Sequence, residues 1–194
     1  MPGEYPNVTW PPPREKATFV PLPSFSTIVI DPPWMERGGG KIKRGADKHY
    51  SLMQEHEIVQ TILTCPHWRP DENAHLYMWV TNNFLPTGLR VMDSIGFRYI
   101  TNVVWVKDRP GLGQYFRGQH ELLLFGIRKL APRPTTHRTD RRDVLSVVQA
   151  PRNRHSAKPS AFYDLVESRS EGPYLEMFAR STRPGWVSWG NEVP

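Results

Sequence analysis

The chain has 194 residues, enough for one domain with a real core, and its 38% hydrophobic and 23% charged content fits an ordinary soluble globular protein. No run approaches the ~18 consecutive apolar residues of a membrane helix, and the first residues carry no apolar signal region, so a cytoplasmic location with no membrane partner is expected. Its 25 Lys and Arg against 19 Asp and Glu leave a net charge of +6, a balance that favours a polyanionic partner such as nucleic acid. Cys65 is the single cysteine, which excludes an intramolecular disulfide and a Cys-based zinc site; it reads as a small buried residue behind a helix.

Residues 1–25 hold seven prolines and little periodicity, and read as a Pro-rich N-terminal arm. Residues 26–194 read as a single domain. Apolar runs rich in β-branched and aromatic residues predict strands at 26–31, 74–81, 99–107, 121–128, 144–150, 174–180 and 186–190. Between them, "EHEIVQTILTC" places Ile58, Val59, Ile62 and Leu63 on one helical face. "LPTGLRVMDSIGF" aligns Leu89, Met92 and Ile95, with Gly96 as a stop. "KPSAFYDLVESRS" gathers Phe162, Leu165 and Val166 behind Pro159. Strands alternating with helices define an α/β class, with a mostly parallel sheet and helices on both faces. The later strands have fewer helices between them, which predicts an antiparallel edge hairpin. No internal repeat is present.

Two loops are basic. Residues 36–49 carry three consecutive glycines, then Lys41, Lys43, Arg44, Asp47 and Lys48. Residues 129–143 hold five Lys or Arg against two Asp. The first follows Asp31-Pro32-Pro33-Trp34, an unusual way to end a buried strand. In open α/β sheets, ligands bind outside the carboxyl ends of the strands, where Asp31 falls. The two prolines remove two N–H donors and leave the Pro32 carbonyl free beside the carboxylate. Two adjacent acceptors suit an exocyclic amine, and Trp34 would offer a flat face to the ring carrying it. The structural alternative is a strand-ending turn in which the acid caps a helix and the indole plugs the core.

The tetrapeptide resembles motif IV of the adenine-N6 methyltransferases, in the DPPW form of the MT-A70 family. "KRGADKHYSLM", "LYMWVTNNFL", "VVWVKD", "GQYFRGQHELLLFGIR", "HSAKPSAFYDLVE" and "LEMFARSTRPGWVSWGNE" follow in that family's order, so the resemblance covers roughly residues 26–193. It implies a Rossmann-like S-adenosylmethionine-dependent methyltransferase fold with motif IV placed before the cofactor segment, and S-adenosyl-L-methionine as cofactor. Asp31, Pro32, Pro33 and Trp34 are the implied catalytic residues. Asp31, Lys158, Glu176, Arg180, Asn191 and Glu192 are the implied cofactor contacts. Trp34, Tyr50, Lys107, His120 and Glu121 fall on the target pocket. Lys41, Lys43, Arg44 and Lys48 would hold phosphates beside a flipped or unpaired adenine. Where many DNA amino-methyltransferases have a glycine-rich turn after the cofactor strand, this chain has "FARSTRPG".

His120 and Glu121 lack a third ligand at metal spacing, so no metal is expected. No Gly-x-Ser-x-Gly turn supports acyl transfer. The implied reaction is N6-adenine methylation of DNA, by analogy with compact bacterial and phage members. The same reaction on RNA, or a catalytically silent nucleic-acid-binding scaffold, stands as the alternative. The sequence leaves open an oligomer or a partner subunit.

Overall fold

A computed structural model of the chain describes residues 23–35, 52–111, 113, 115–129, 144–152 and 157–193. Seven strands form one sheet: β1 (Phe25–Ile30), β2 (Pro70–Val80), β3 (Phe97–Lys107), β4 (His120–Arg128), β5 (Val147–Ala150), β6 (Tyr174–Met177) and β7 (Trp186–Trp189), in the order β5-β3-β4-β2-β1-β6-β7. β1 pairs in parallel with both β2 and β6, and β5 and β7 also pair in parallel with their neighbours. Only β4 runs against the rest, antiparallel to both β2 and β3.

The expected antiparallel element is therefore present but does not lie at the edge. The parallel crossover from β2 to β3 skips one position, and β4 folds back into that gap. Its run Leu122-Leu123-Leu124-Phe125-Gly126-Ile127 is apolar towards both faces, as an interior strand requires. Gly126 is needed there, because a Cβ would come within 2.8 Å of the Arg98 carbonyl oxygen on the neighbouring β3, besides crowding the Met92 side chain. The parallel strand β5 closes that edge.

Helices α1 (Glu55–Thr64) and α2 (Leu85–Ser94) follow β1 and β2, and both crossovers step the chain the same way across the sheet. Right-handed crossovers put both helices on one face. The chain then returns past β1 to β6, so the same rule sends α3 (Ala161–Arg169) to the other face. The core divides accordingly. Ile28, Ile30, Met78, Leu175 and Met177 pack with Ile58, Ile62 and Met92 on the first side. Val29, Trp79, Trp105 and Leu123 pack with Phe162 and Val166 on the second. Of the expected α1 stripe, Leu63 stays half exposed, while Cys65 is buried behind the helix as expected.

The carboxyl ends of β1 and β6 define a switch point, since β1 leads to β2 on one side and β6 to β7 on the other. Such a crevice is where open α/β sheets bind ligands. Residues 1–22 of the proline-rich arm, the 36–51 loop and residues 130–143 lie outside the described residues, so Lys41, Lys43, Arg44, Lys48 and Tyr50 have no structural account.

Candidate active site

The two-residue period of a strand aims alternate side chains at one face. Continuing the α3-facing series Val29, Trp79, Trp105 and Leu123 one step to the carboxyl edge reaches Asp31, Thr81, Lys107 and Glu121. Glu121 joins the others because β4 is reversed: its amino end lies where the parallel strands have their carboxyl ends. A parallel strand in that position would have carried this residue to the opposite edge.

Lys158 enters this group from the segment leading into α3. Its Nζ donates to both carboxylate oxygens of Asp31, at 3.0 and 2.9 Å, and lies 3.4 Å from Glu121 Oε2. Lys107 Nζ closes the row at 2.6 Å from Glu121 Oε1. Asp31, Lys158, Glu121 and Lys107 thus alternate in sign, all with side chains mostly removed from water. Burial alone would push Lys158 down, but Asp31 and Glu121 outweigh it and hold its pKa above the usual 10.5. Burial likewise opposes the Glu121 carboxylate, yet Lys158 and Lys107 keep its pKa below 4.5. Lys158 also lies 5.2 Å over the Trp79 ring, and Lys107 lies 5.0 Å over Trp105. The aromatic core beneath supplies a second attraction for each cation.

Glu176 faces the crevice from β6. One of its oxygens accepts the Tyr163 hydroxyl at 2.6 Å, and the other has no partner among the described residues. Burial, with the charge of Asp31, raises its pKa. Burial and then the Glu176 charge raise that of Tyr163. Arg183 lies 4.4 Å over the Tyr163 ring and pairs with Glu167, which fixes the phenol. Arg180 approaches Glu192 at 3.9 Å, and its charge reaches Lys158. Asn191 is exposed beside Glu192 after β7. The backbone here is tightly drawn: Phe178 takes φ 59°, and a Cβ on Gly190 would overlap Ala179. The turn is made by Phe178, with no glycine there to announce it.

Two expectations about the tetrapeptide change. The Pro32 carbonyl is not free: the chain folds back sharply enough for it to accept the Trp34 N–H at 2.9 Å, which leaves one lone pair for another donor. Trp34 does not present a face to solvent. It is 6% exposed, stacked on Phe84 at 5.8 Å, with its Nε1–H donated to the Trp79 carbonyl at 3.0 Å. Burying the indole removes far more apolar area from water than a surface position would, so the residue plugs the core and holds the turn. The Pro33 carbonyl accepts the Met53 N–H at 2.9 Å, fixing the far side of that turn.

His120 is not brought into the group. It is exposed and, by alternation with Glu121, belongs to the opposite face of β4. Tyr163, Arg183 and Thr81 were not singled out from the sequence. The Thr81 hydroxyl and that of Ser188, cross-strand from Glu176, are buried without hydrogen-bond partners among the described residues. No metal-type cluster of His, Cys, Asp and Glu occurs among the described residues.

The mostly parallel sheet carries an ionic row and a half-free carboxylate at its switch point, in the crevice where open α/β sheets bind ligands. The MT-A70 profile matches residues 25–192, and the chain belongs to that family. Similar proteins include the type II methyltransferase M.MunI of Mycoplasma sp, 28% identical over 90% of this chain and 80% of the relative. The N6-methyladenosine RNA methyltransferase MTA1 of Cryphonectria parasitica is 31% identical over 88% and 52%. The N(6)-adenine-specific methyltransferase METTL4 of Homo sapiens is 30% identical over 88% and 38%. The chain thus spans about half or less of the last two.

Proposed function

We propose that this adenine-N6 methyltransferase of the MT-A70 family acts on DNA inside the cell, using S-adenosylmethionine as methyl donor. The observation that carries the reading is the Asp31–Lys158 pair at the switch point, with Glu176 beside it. Three carboxylates (Asp31, Glu121 and Glu176) face two ammonium groups (Lys158 and Lys107), an excess of negative charge that suits a sulfonium cation. The free oxygen of Glu176 suits a ribose hydroxyl, and Arg180, Asn191 and Glu192 flank the same end. These residues fit the cofactor, which when bound supplies an activated methyl group for direct displacement.

The chain's own part is to present the nucleophile. An adenine amino nitrogen shares its lone pair with the ring and is a poor nucleophile. The Asp31 carboxylate and the remaining lone pair of the Pro32 carbonyl accept its two hydrogens and draw the nitrogen towards a pyramidal form. Lys158 holds both Asp31 oxygens in one orientation while each keeps a lone pair for the amine. The amine becomes acidic only as the new bond forms, so hydrogen-bond acceptance suffices and no strong base is needed.

Likeness over four-fifths of a type II methyltransferase supports DNA as substrate, and the similarity to an RNA methyltransferase supports RNA as the second reading. The distinguishing experiment offers labelled S-adenosylmethionine with single-stranded DNA, duplex DNA and RNA of one sequence. Label in N6-methyldeoxyadenosine supports the proposal; label confined to RNA selects the second reading.

A further inference from the structure

We infer that Tyr115 and Phe116 form a stacking platform for a nucleobase flanking the target adenine. The inference rests on the nucleic-acid reading above and adds a substrate contact to it. Among the described residues these are the two most exposed large apolar side chains, Tyr115 fully and Phe116 86% exposed. They lie in the 108–119 connection between β3 and β4, whose ends are Lys107 and His120, so it extends the sheet beyond the carboxyl edge that carries the active site.

The connection is built to hold them out. The Lys107 N–H donates to Gln119 O at 2.8 Å, and the Gly111 N–H donates to Gly118 O at 2.7 Å, prolonging the two-stranded ribbon. Arg117 Nε donates to Gly111 O at 2.6 Å across it. Its base is tied to the chain after β5, where the Arg152 N–H donates to Asp108 Oδ1 at 2.9 Å. At the tip, a Cβ on Gly113 would overlap the Phe116 carbonyl, so the turn is tight.

Two adjacent rings in water gain nothing for the free chain, since neither packs on the core. Exposed Arg109 and Arg117 lie on the same connection and exposed Arg152 is tied to its base, outnumbering Asp108. Aromatic rings among exposed cations match a single-stranded nucleic acid, whose bases stack while its phosphates are neutralised. A protein partner would be the other occupant, but the surrounding charge favours the polyanion.

The test measures binding of a labelled single-stranded DNA of mixed sequence, about 20 nucleotides long so that it exceeds one binding site. Wild type is compared with Tyr115→Ala/Phe116→Ala and Phe116→Trp across salt concentrations. The double variant should lose affinity by about 5- to 150-fold, from stacking worth about 1–3 kcal/mol per base. The slope of log affinity against log salt should stay unchanged, because no phosphate contact is removed. Phe116→Trp should bind like wild type, and S-adenosylmethionine affinity should be the same in all three.

Unchanged DNA affinity in the double variant, while wild type still methylates, overturns the platform and leaves the methyltransferase reading standing. So does a wild-type dimer in sedimentation that the double variant abolishes, because the rings would then serve protein contact. A wild type that binds and methylates no nucleic acid overturns the underlying reading and the platform with it.

Discussion

Lys158 binds both carboxylate oxygens of Asp31 across 127 residues of chain, at 3.0 and 2.9 Å. The same ammonium reaches Glu121, so a single cation separates two carboxylates drawn from different strands. A buried ion pair of this kind is weak evidence for stability, since desolvation consumes most of the attraction. Its value here lies in orientation.

Replacing Lys158 with Met leaves Asp31 and Glu121 facing one another with only Lys107 for compensation. Glu121, whose pKa Lys158 helps to hold down, then takes up a proton at higher pH, so the stability it contributes is lost at a higher pH than in wild type. Maximal turnover should also fall, while Lys158→Arg keeps much of both. Melting curves against pH and steady-state rates of the three proteins check this; unchanged turnover in Lys158→Met would separate the lysine from the reacting carboxylate.

Glu121 should make the fold acid-sensitive. Its pKa is depressed in the folded state, against the opposing effect of burial, by Lys158 and Lys107. The stability it contributes is therefore present above the ordinary 4.5 and is lost as pH falls through the depressed value. Glu121→Gln removes that component. Thermal melts as a function of pH should show the variant less stable than wild type at neutral pH, with the gap narrowing below 4.5.

Trp34→Ala should destabilise the chain by about 3–5 kcal/mol, the cost of emptying a core site of that size. Trp34→Phe keeps the contact with Phe84 but loses the hydrogen bond to the Trp79 carbonyl, at about 1 kcal/mol. Urea unfolding measures both. Full stability in Trp34→Ala with weakened substrate binding would return the indole to a base-stacking role.

Glu176 should trade stability for binding. Its pKa is raised above 4.5 by burial and by Asp31, so holding it ionised costs stability, a penalty that grows as pH rises through that window. Glu176→Gln should melt no lower than wild type at neutral pH, while S-adenosylmethionine affinity falls by about 10- to 100-fold with the charged hydrogen bond. Calorimetric titration alongside melting curves tests both halves.

The local elements were legible in the sequence, and the tertiary relationships only in part. Seven apolar runs became the seven strands, and Phe162 and Val166 pack where helical spacing put them. The predicted strand at 174–180 stops at Met177, because Phe178 adopts a left-handed conformation without the glycine that would announce it. The interior place of β4 was hidden, since strand order depends on pairing between distant residues. That order also brings Glu121 to Lys158, so the ionic row could not be read from spacing. At Trp34 the sequence allowed both a base-stacking face and a core plug, and burial against Phe84 decides for the plug.

The central claim is that the Asp31 carboxylate presents an adenine amino group to the methyl donor. The most direct measurement is single-turnover methyl transfer by wild type, Asp31→Asn and Asp31→Ala, with nucleoside products identified by mass spectrometry and cofactor affinity titrated in parallel. The account predicts N6-methyladenine from wild type and none from either variant, even at saturating cofactor. Wild-type transfer rates in Asp31→Ala would contradict it.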